Sequence, residues 1–227
     1  MPAKPIHGCD IATAKILLDI KAVNFRPEQP YIFTSGWASP VYIDCRKLIS
    51  FPAERRHVVQ QAVSILGTEV GWGKIDAVAG GETAGIPYAA WIAEAADKPM
   101  LYVRKQAKGF GRNAQIEGDF APGARVVLVE DLATDGASKL TFVNALRKAE
   151  AKVTDSFVVF FYGIFPGVLG TLAEFDVRLH FLATWWDALK VAEEGDYFPR
   201  ATLDEVRRFL EDPIAWSAAH GGKGRPG

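Results

Sequence analysis

The stretch that most constrains this chain is Val126-Val127-Leu128-Val129-Glu130-Asp131-Leu132-Ala133-Thr134-Asp135-Gly136-Ala137-Ser138-Lys139. An apolar run of strand length ends in two adjacent carboxylates, crosses a short turn and enters a segment of helical spacing. The first N–H groups of a helix lack intrahelical partners and lie at the positive end of its dipole, so this junction suits an anion. Thr134 and Ser138 add hydroxyl donors, and Gly136 lets the backbone come close to a ligand. Glu130 and Asp131 would repel a phosphate, so they must face donors such as vicinal sugar hydroxyls, or a cation. The combination reads as a grip for a sugar phosphate. An ordinary βα turn, whose Asp and Ser residues only cap the helix, has the same spacing.

An apolar strand, Glu-Asp, two residues and then Thr-x-Gly-x-Ser resembles the phosphoribosyl-pyrophosphate motif of the type I phosphoribosyltransferases. A Walker loop would need Gly-Lys-Ser/Thr, and a dinucleotide fold Gly-x-Gly-x-x-Gly; neither is present in this stretch. The resemblance implies that Glu130 and Asp131 hold the ribose 2′- and 3′-hydroxyls. Leu132 and Ala133 then lead into Thr134, Asp135, Gly136, Ala137 and Ser138, which would surround the 5′-phosphate.

The rest of the chain reads as alternating strands and helices. Asp10 can cap a helix with Ile11, Ala14, Leu18 and Ala22 on one face, ending near Asn24. Two short strands follow, at 31–36 and 41–45, around the turn 36–40. Pro52 opens a longer helix burying Val58, Ala62, Ile65, Leu66 and Val70. Strands begin near 75, 99, 125, 156 and 177, with helix-length segments between them. This describes a doubly wound, mainly parallel five-stranded sheet flanked by helices, which gathers ligands at the carboxyl ends of its strands. The organisation expected is an N-terminal helix and hood at 1–50, a core at 51–184, C-terminal helices packed on it at 185–219, and a disordered tail at 220–227.

Two further stretches lie at such carboxyl ends. Gly80-Gly81-Glu82-Thr83-Ala84-Gly85 joins a strand to a helix from about 87 to 96, a second anion-binding geometry, although three glycines can also simply make a tight turn. Residues 104–118 carry Arg104, Lys105, Lys108 and Arg112 with three glycines and no apolar period, as a flexible basic loop would. A charge run is often only a solvated face. Between two phosphate-type turns, however, it can close over a polyphosphate and neutralise it.

Phe33-Thr34-Ser35-Gly36-Trp37-Ala38-Ser39-Pro40-Val41-Tyr42 followed by Asp44 and Arg46 is similar to the hood signature of orotate phosphoribosyltransferases, and Arg104-Lys105-x-x-Lys108 to their catalytic loop. The resemblance implies transfer of the phosphoribosyl group of phosphoribosyl pyrophosphate to orotate. In that scheme Gly81, Glu82 and Thr83 meet the pyrophosphate, while Arg104, Lys105, Lys108 and Asp131 serve catalysis. It implies Mg2+, chelated mainly by substrate and water with no protein metal cage, and a homodimer whose loops reach across subunits. Four positions depart from the family pattern: Phe110, Thr34, Ala84, and Tyr162-Gly163-Ile164, where an Asp-Arg would receive the carboxylate of orotate. A backbone N–H or Arg46 could take that role, or the base could differ. A non-catalytic module that senses phosphoribosyl pyrophosphate is the other alternative.

Composition narrows the partners. With 26 basic and 27 acidic residues, no net field draws the chain to nucleic acid or to a membrane surface. Cys9 and Cys45 fit no disulfide framework. Residues 1–7 lack a signal-peptide pattern and no apolar run is long enough to span a membrane, so a cytoplasmic protein is expected.

Overall fold

The computed structural model describes residues 10–107, 115–134 and 137–223. The chain forms two compact units. One takes the chain up to Ser50, residues 162–166 and the chain from Ala183 onward; the other takes residues 51–161 and 167–182.

In the first unit, α1 (Asp10–Asp19) ends five residues earlier than its apolar spacing predicts. Lys21, at φ +56°, turns the chain into the left-handed region, and the Ala22 N–H closes on Leu17 O at 2.8 Å. That frees β1 (Val23–Phe25) to become a strand. β2 (Tyr31–Ile32) pairs antiparallel with β3 (Ala38–Ser39), whereas β4 (Val41–Ile43) pairs antiparallel with β1. The two expected hood strands therefore do not pair with each other, because Ser39 and Pro40 bend the chain between β3 and β4. A 3-10 segment, Cys45–Ser50, leads out of the hood.

The second unit carries the sheet. α2 (Pro52–Glu69) begins at a proline, whose missing N–H costs nothing at a helix start, and buries Val58, Val59, Ala62, Ile65 and Leu66. A 3-10 turn, Trp72–Lys74, follows, and then β5 (Ala77–Gly81), α3 (Gly85–Ala95), β6 (Met100–Val103), β7 (Ile116–Glu117), β8 (Arg125–Ala133), α4 (Ala137–Lys148), β9 (Lys152–Phe161), α5 (Val168–Glu174) and β10 (Arg178–Thr184). The sheet order is β10-β9-β8-β5-β6-β7. β5 runs parallel to both β6 and β8, and β8 parallel to β9. The five expected strands are thus joined by a sixth, since the chain returning from the basic loop pairs Ile116 and Glu117 antiparallel with Val103 and Tyr102. β9 also starts four residues before its expected position: Lys152 and Thr154 face out while Val153 and Asp155 face in, and the polar alternation hides the strand's beginning. The central strands are buried on both faces, as parallel strands under helices must be.

The rest of the chain returns to the first unit as α6 (Trp185–Glu194), α7 (Arg200–Glu211) and α8 (Pro213–Ala219). Thr184 and Asp187 cap α6 reciprocally. Leu203, Val206, Phe209 and Leu210 form the buried stripe of α7. Of the tail expected to lack structure, residues 220–223 are held in place. Ser217 Oγ donates to Lys223 O (2.8 Å) and accepts from the Ala38 N–H (3.0 Å), while the Lys223 N–H reaches Gly36 O (2.8 Å). These bonds give the segment partners that its glycine-rich composition does not reveal.

Candidate functional site

β5 and β8 are adjacent and parallel, with Gly80 opposite Val129, so their carboxyl ends release two turns side by side. From β8 come Glu130 (8% exposed), the half-buried Asp131 and Leu132, the buried Ala133 and the half-buried Thr134. α4 then starts at Ala137, with Arg147 and Lys148 in its last turn, where cations favour the dipole. Asp135 and Gly136 lie outside the described residues, as do the side chains of Ala137 and Ser138.

The first acid of the pair is not open to a ligand on all sides. Lys139, 1% exposed, donates from Nζ to Glu130 Oε2 at 2.6 Å and to Leu132 O at 2.5 Å. The other carboxylate oxygen, Oε1, lies over Gly81: a Cβ there would come within 2.5 Å of it and also strike Phe142. Gly81 is therefore needed for close approach of β5 to the acid, not only for a flexible turn. Gly85 has a related duty, because a side chain would run into the Val129 carbonyl.

The second turn carries Glu82 and Thr83, joined by a cis peptide bond. The Glu82 N–H bonds Val103 O at 2.9 Å, and its carboxylate accepts the Lys105 N–H at 2.7 Å. Glu82 thus anchors the start of the basic loop. That start is a short stem. Arg104 N–H bonds Gln115 O (2.8 Å), Gln115 Nε2 donates back to Arg104 O (2.8 Å), and the Arg104 guanidinium pairs with Glu117 and lies 5.9 Å from the Tyr102 ring centre. Hydrogen bonding to Glu117 pushes the guanidinium's pKa further up. Arg104 is held at the stem while Lys105 is exposed. Lys108, Phe110 and Arg112 lie outside the described residues. Among the described residues no group of three His, Cys, Asp or Glu side chains could hold a metal ion, and no helix is long and apolar enough to cross a membrane.

The site so built joins carboxylates, which accept from hydroxyls, to two helix starts, which attract anions. The pairing of β5 with β8 sets the two turns side by side, and the sequence reading missed Lys139 and the anchoring bond of Glu82. In the first unit, the position after β9 is filled by Tyr162, buried edge-on against Trp185 at 5.4 Å between ring centres, and burial pushes its phenol pKa well up. It is a neutral packing residue and no replacement for an arginine. Arg46 of the hood donates from Nε to Asp44 at 2.6 Å.

No family model matches the chain. The orotate phosphoribosyltransferase of Rhizobium rhizogenes is 52% identical over 209 residues, covering 92% of this chain and 90% of the relative. Among solved structures, Leishmania donovani UMP synthase matches 88% of this chain and 42% of its own, with a TM-score of 0.76 and 28% identity. The orotate phosphoribosyltransferase of Aeropyrum pernix matches over 80% of this chain and 99% of its own, with a TM-score of 0.67 and 31% identity.

Proposed function

Since the chain belongs to the orotate phosphoribosyltransferase family, we propose that its acid-ended β8 and the two turns beside it bind phosphoribosyl pyrophosphate for transfer to orotate. The protein is a pentosyltransferase: it forms orotidine 5′-monophosphate and releases pyrophosphate. The observation that carries the site is the register of β5 beside β8, which sets a sugar-type grip next to a second anion-binding turn.

When the bond from C1 to pyrophosphate breaks, positive charge grows on the ribose ring and negative charge on the leaving group, and a ring nitrogen of orotate supplies the new bond to C1. Asp131 faces the first charge and, with Glu130 through Oε1, accepts from the ribose hydroxyls. Thr134 and residues 135–138, which lead into α4, take the 5′-phosphate; Gly81 and Thr83, with the start of α3, take the pyrophosphate. Glu82 holds the loop stem to that turn. Lys105 and Lys108, on the loop whose stem Arg104 fixes, neutralise the leaving group; one such contact is typically worth about 3–4 kcal/mol at the transition state. Mg2+ would accompany the substrate: Asp131 is a hard oxygen donor of the right kind, and most of the ion's ligands would come from substrate and water, as this ion prefers. The bound ion would offset charge on the pyrophosphate. We further propose a cytoplasmic homodimer in which each loop serves the neighbouring site.

The test is orotate consumption followed by ultraviolet absorbance. Loss of orotate that requires both phosphoribosyl pyrophosphate and Mg2+ is expected. A folded protein that binds phosphoribosyl pyrophosphate yet consumes no orotate would overturn the assignment of the base.

A further inference from the structure

Lys139 has no role in the scheme above, yet it is among the most deeply buried side chains of its unit. A lysine at 1% exposure costs several kcal/mol to desolvate unless it is fully partnered. Here both partners sit on the strand end that the scheme uses: Glu130 Oε2 at 2.6 Å and the Leu132 carbonyl at 2.5 Å. The chain leaves β8 after Ala133, makes the turn and re-enters at the first turn of α4, where Lys139 stands. Its ammonium therefore closes a ring through the end of β8 and the first turn of α4.

We propose that Lys139 is a positioning residue for the phosphoribosyl group: it fixes the Glu130 carboxylate with Oε1 toward Gly81 and ties the start of α4 to the end of β8 before substrate arrives. A carboxylate and a helix start already in place save the ordering cost that loose ones would add to binding. The ring involves the ribose 5-phosphate half of the substrate. The pyrophosphate turn is held by other bonds, from Glu82 to Val103 and from Lys105 to Glu82.

This inference rests on the substrate reading, and its test separates the two. Calorimetric titration with ribose 5-phosphate and, separately, with inorganic pyrophosphate and Mg2+ is done on the wild type, Lys139→Met and Lys139→Arg, each checked for folding by circular dichroism. In Lys139→Met, ribose 5-phosphate affinity should fall about tenfold or more, as expected for loss of a charge-assisted bond, with pyrophosphate affinity within about twofold. Lys139→Arg, which keeps a cation with several donors, should recover most of the loss. Unchanged ribose 5-phosphate affinity in a folded Met variant overturns the proposal, and so does an equal loss for both ligands, which would mean general loosening. Should the Met variant not fold, the Arg variant decides: retained affinity supports the role, and selective loss of ribose 5-phosphate overturns it. A wild type that binds neither ligand removes the substrate reading and the inference with it. A wild type that binds both but leaves orotate untouched removes only the base.

Discussion

The sheet buries charge at both ends, and the two clusters are built differently. At the carboxyl ends of the strands, Glu130, Leu132 and Lys139 come from one stretch of ten residues and enclose a turn. At the amino ends, His180 of β10 lies between Asp155 of β9, 2.7 Å from Nε2, and Glu69 at the end of α2, 2.5 Å from Nδ1. Each ring nitrogen therefore faces a carboxylate. Arg178 adds bonds to Asp155 and to the Glu69 carbonyl. The partners of this second cluster are 25 and 111 residues apart in sequence. It staples a distant helix to the sheet, while the first ties one strand end to the helix that follows it. Burial of charge is common to both, so burial alone does not mark a functional site; what the charge closes does.

The largest effect expected is on chemistry. Asp131→Asn keeps the size of the side chain and removes the charge that the proposed scheme sets against the developing cation, so turnover should fall about a hundredfold or more with the unfolding midpoint nearly unchanged. Steady-state rates beside thermal melts would show this, and near-normal turnover would remove Asp131 from the mechanism. The complementary variant at the other end is His180→Leu. It leaves two mostly buried carboxylates without their shared partner and should cost about 3 kcal/mol of stability. Michaelis constants should stay as they were; a changed affinity for phosphoribosyl pyrophosphate would mean that the two ends are coupled.

Acid sharpens the same contrast. Burial would by itself raise the Asp155 carboxyl, but hydrogen bonds from His180, Thr154 and Arg178 outweigh it and hold the pKa at about 2, below its ordinary 3.8. A depressed carboxyl contributes stability that is fully present above 3.8 and is lost as pH falls toward 2. The stability gap between wild type and His180→Leu should therefore narrow across that window. A gap that stays constant from pH 5 to about 2 would show that Asp155 is not the group through which His180 acts.

How the two clusters could be read beforehand also differs. The turns after β5 and β8 were legible because apolar runs, glycines and hydroxyl residues have a fixed local order. The five main strands were legible for the same reason. Lys139 left a fainter signal: it shares a helical face with Phe142, Val143 and Leu146, all buried, at spacings of three, four and seven. A lysine on the apolar face of a helix needs an anionic partner, and Glu130 at the end of the preceding strand supplies it. The His180 cluster has no comparable signal, since no local period links positions 69, 155 and 180. The hood was misread where pairing is non-local: β1 meets β4 only because α1 stops early at Lys21.

The smallest effect should come from a pair that looks stronger on paper than either cluster. Asp76 and Arg125 meet through three hydrogen bonds of 2.6–2.8 Å near the amino ends of β5 and β8, and the Arg125 guanidinium holds the Asp76 carboxyl well below the usual carboxylate range. Both side chains, however, remain 41–45% exposed. Water and salt then screen the attraction, and its loss is largely made good by solvent. Asp76→Asn should accordingly shift the unfolding midpoint by no more than about 1–2 °C at physiological salt, and by less as salt is raised. A loss approaching that of His180→Leu would break the comparison, because it would make bond geometry rather than exposure the quantity that ranks the charged pairs of this sheet.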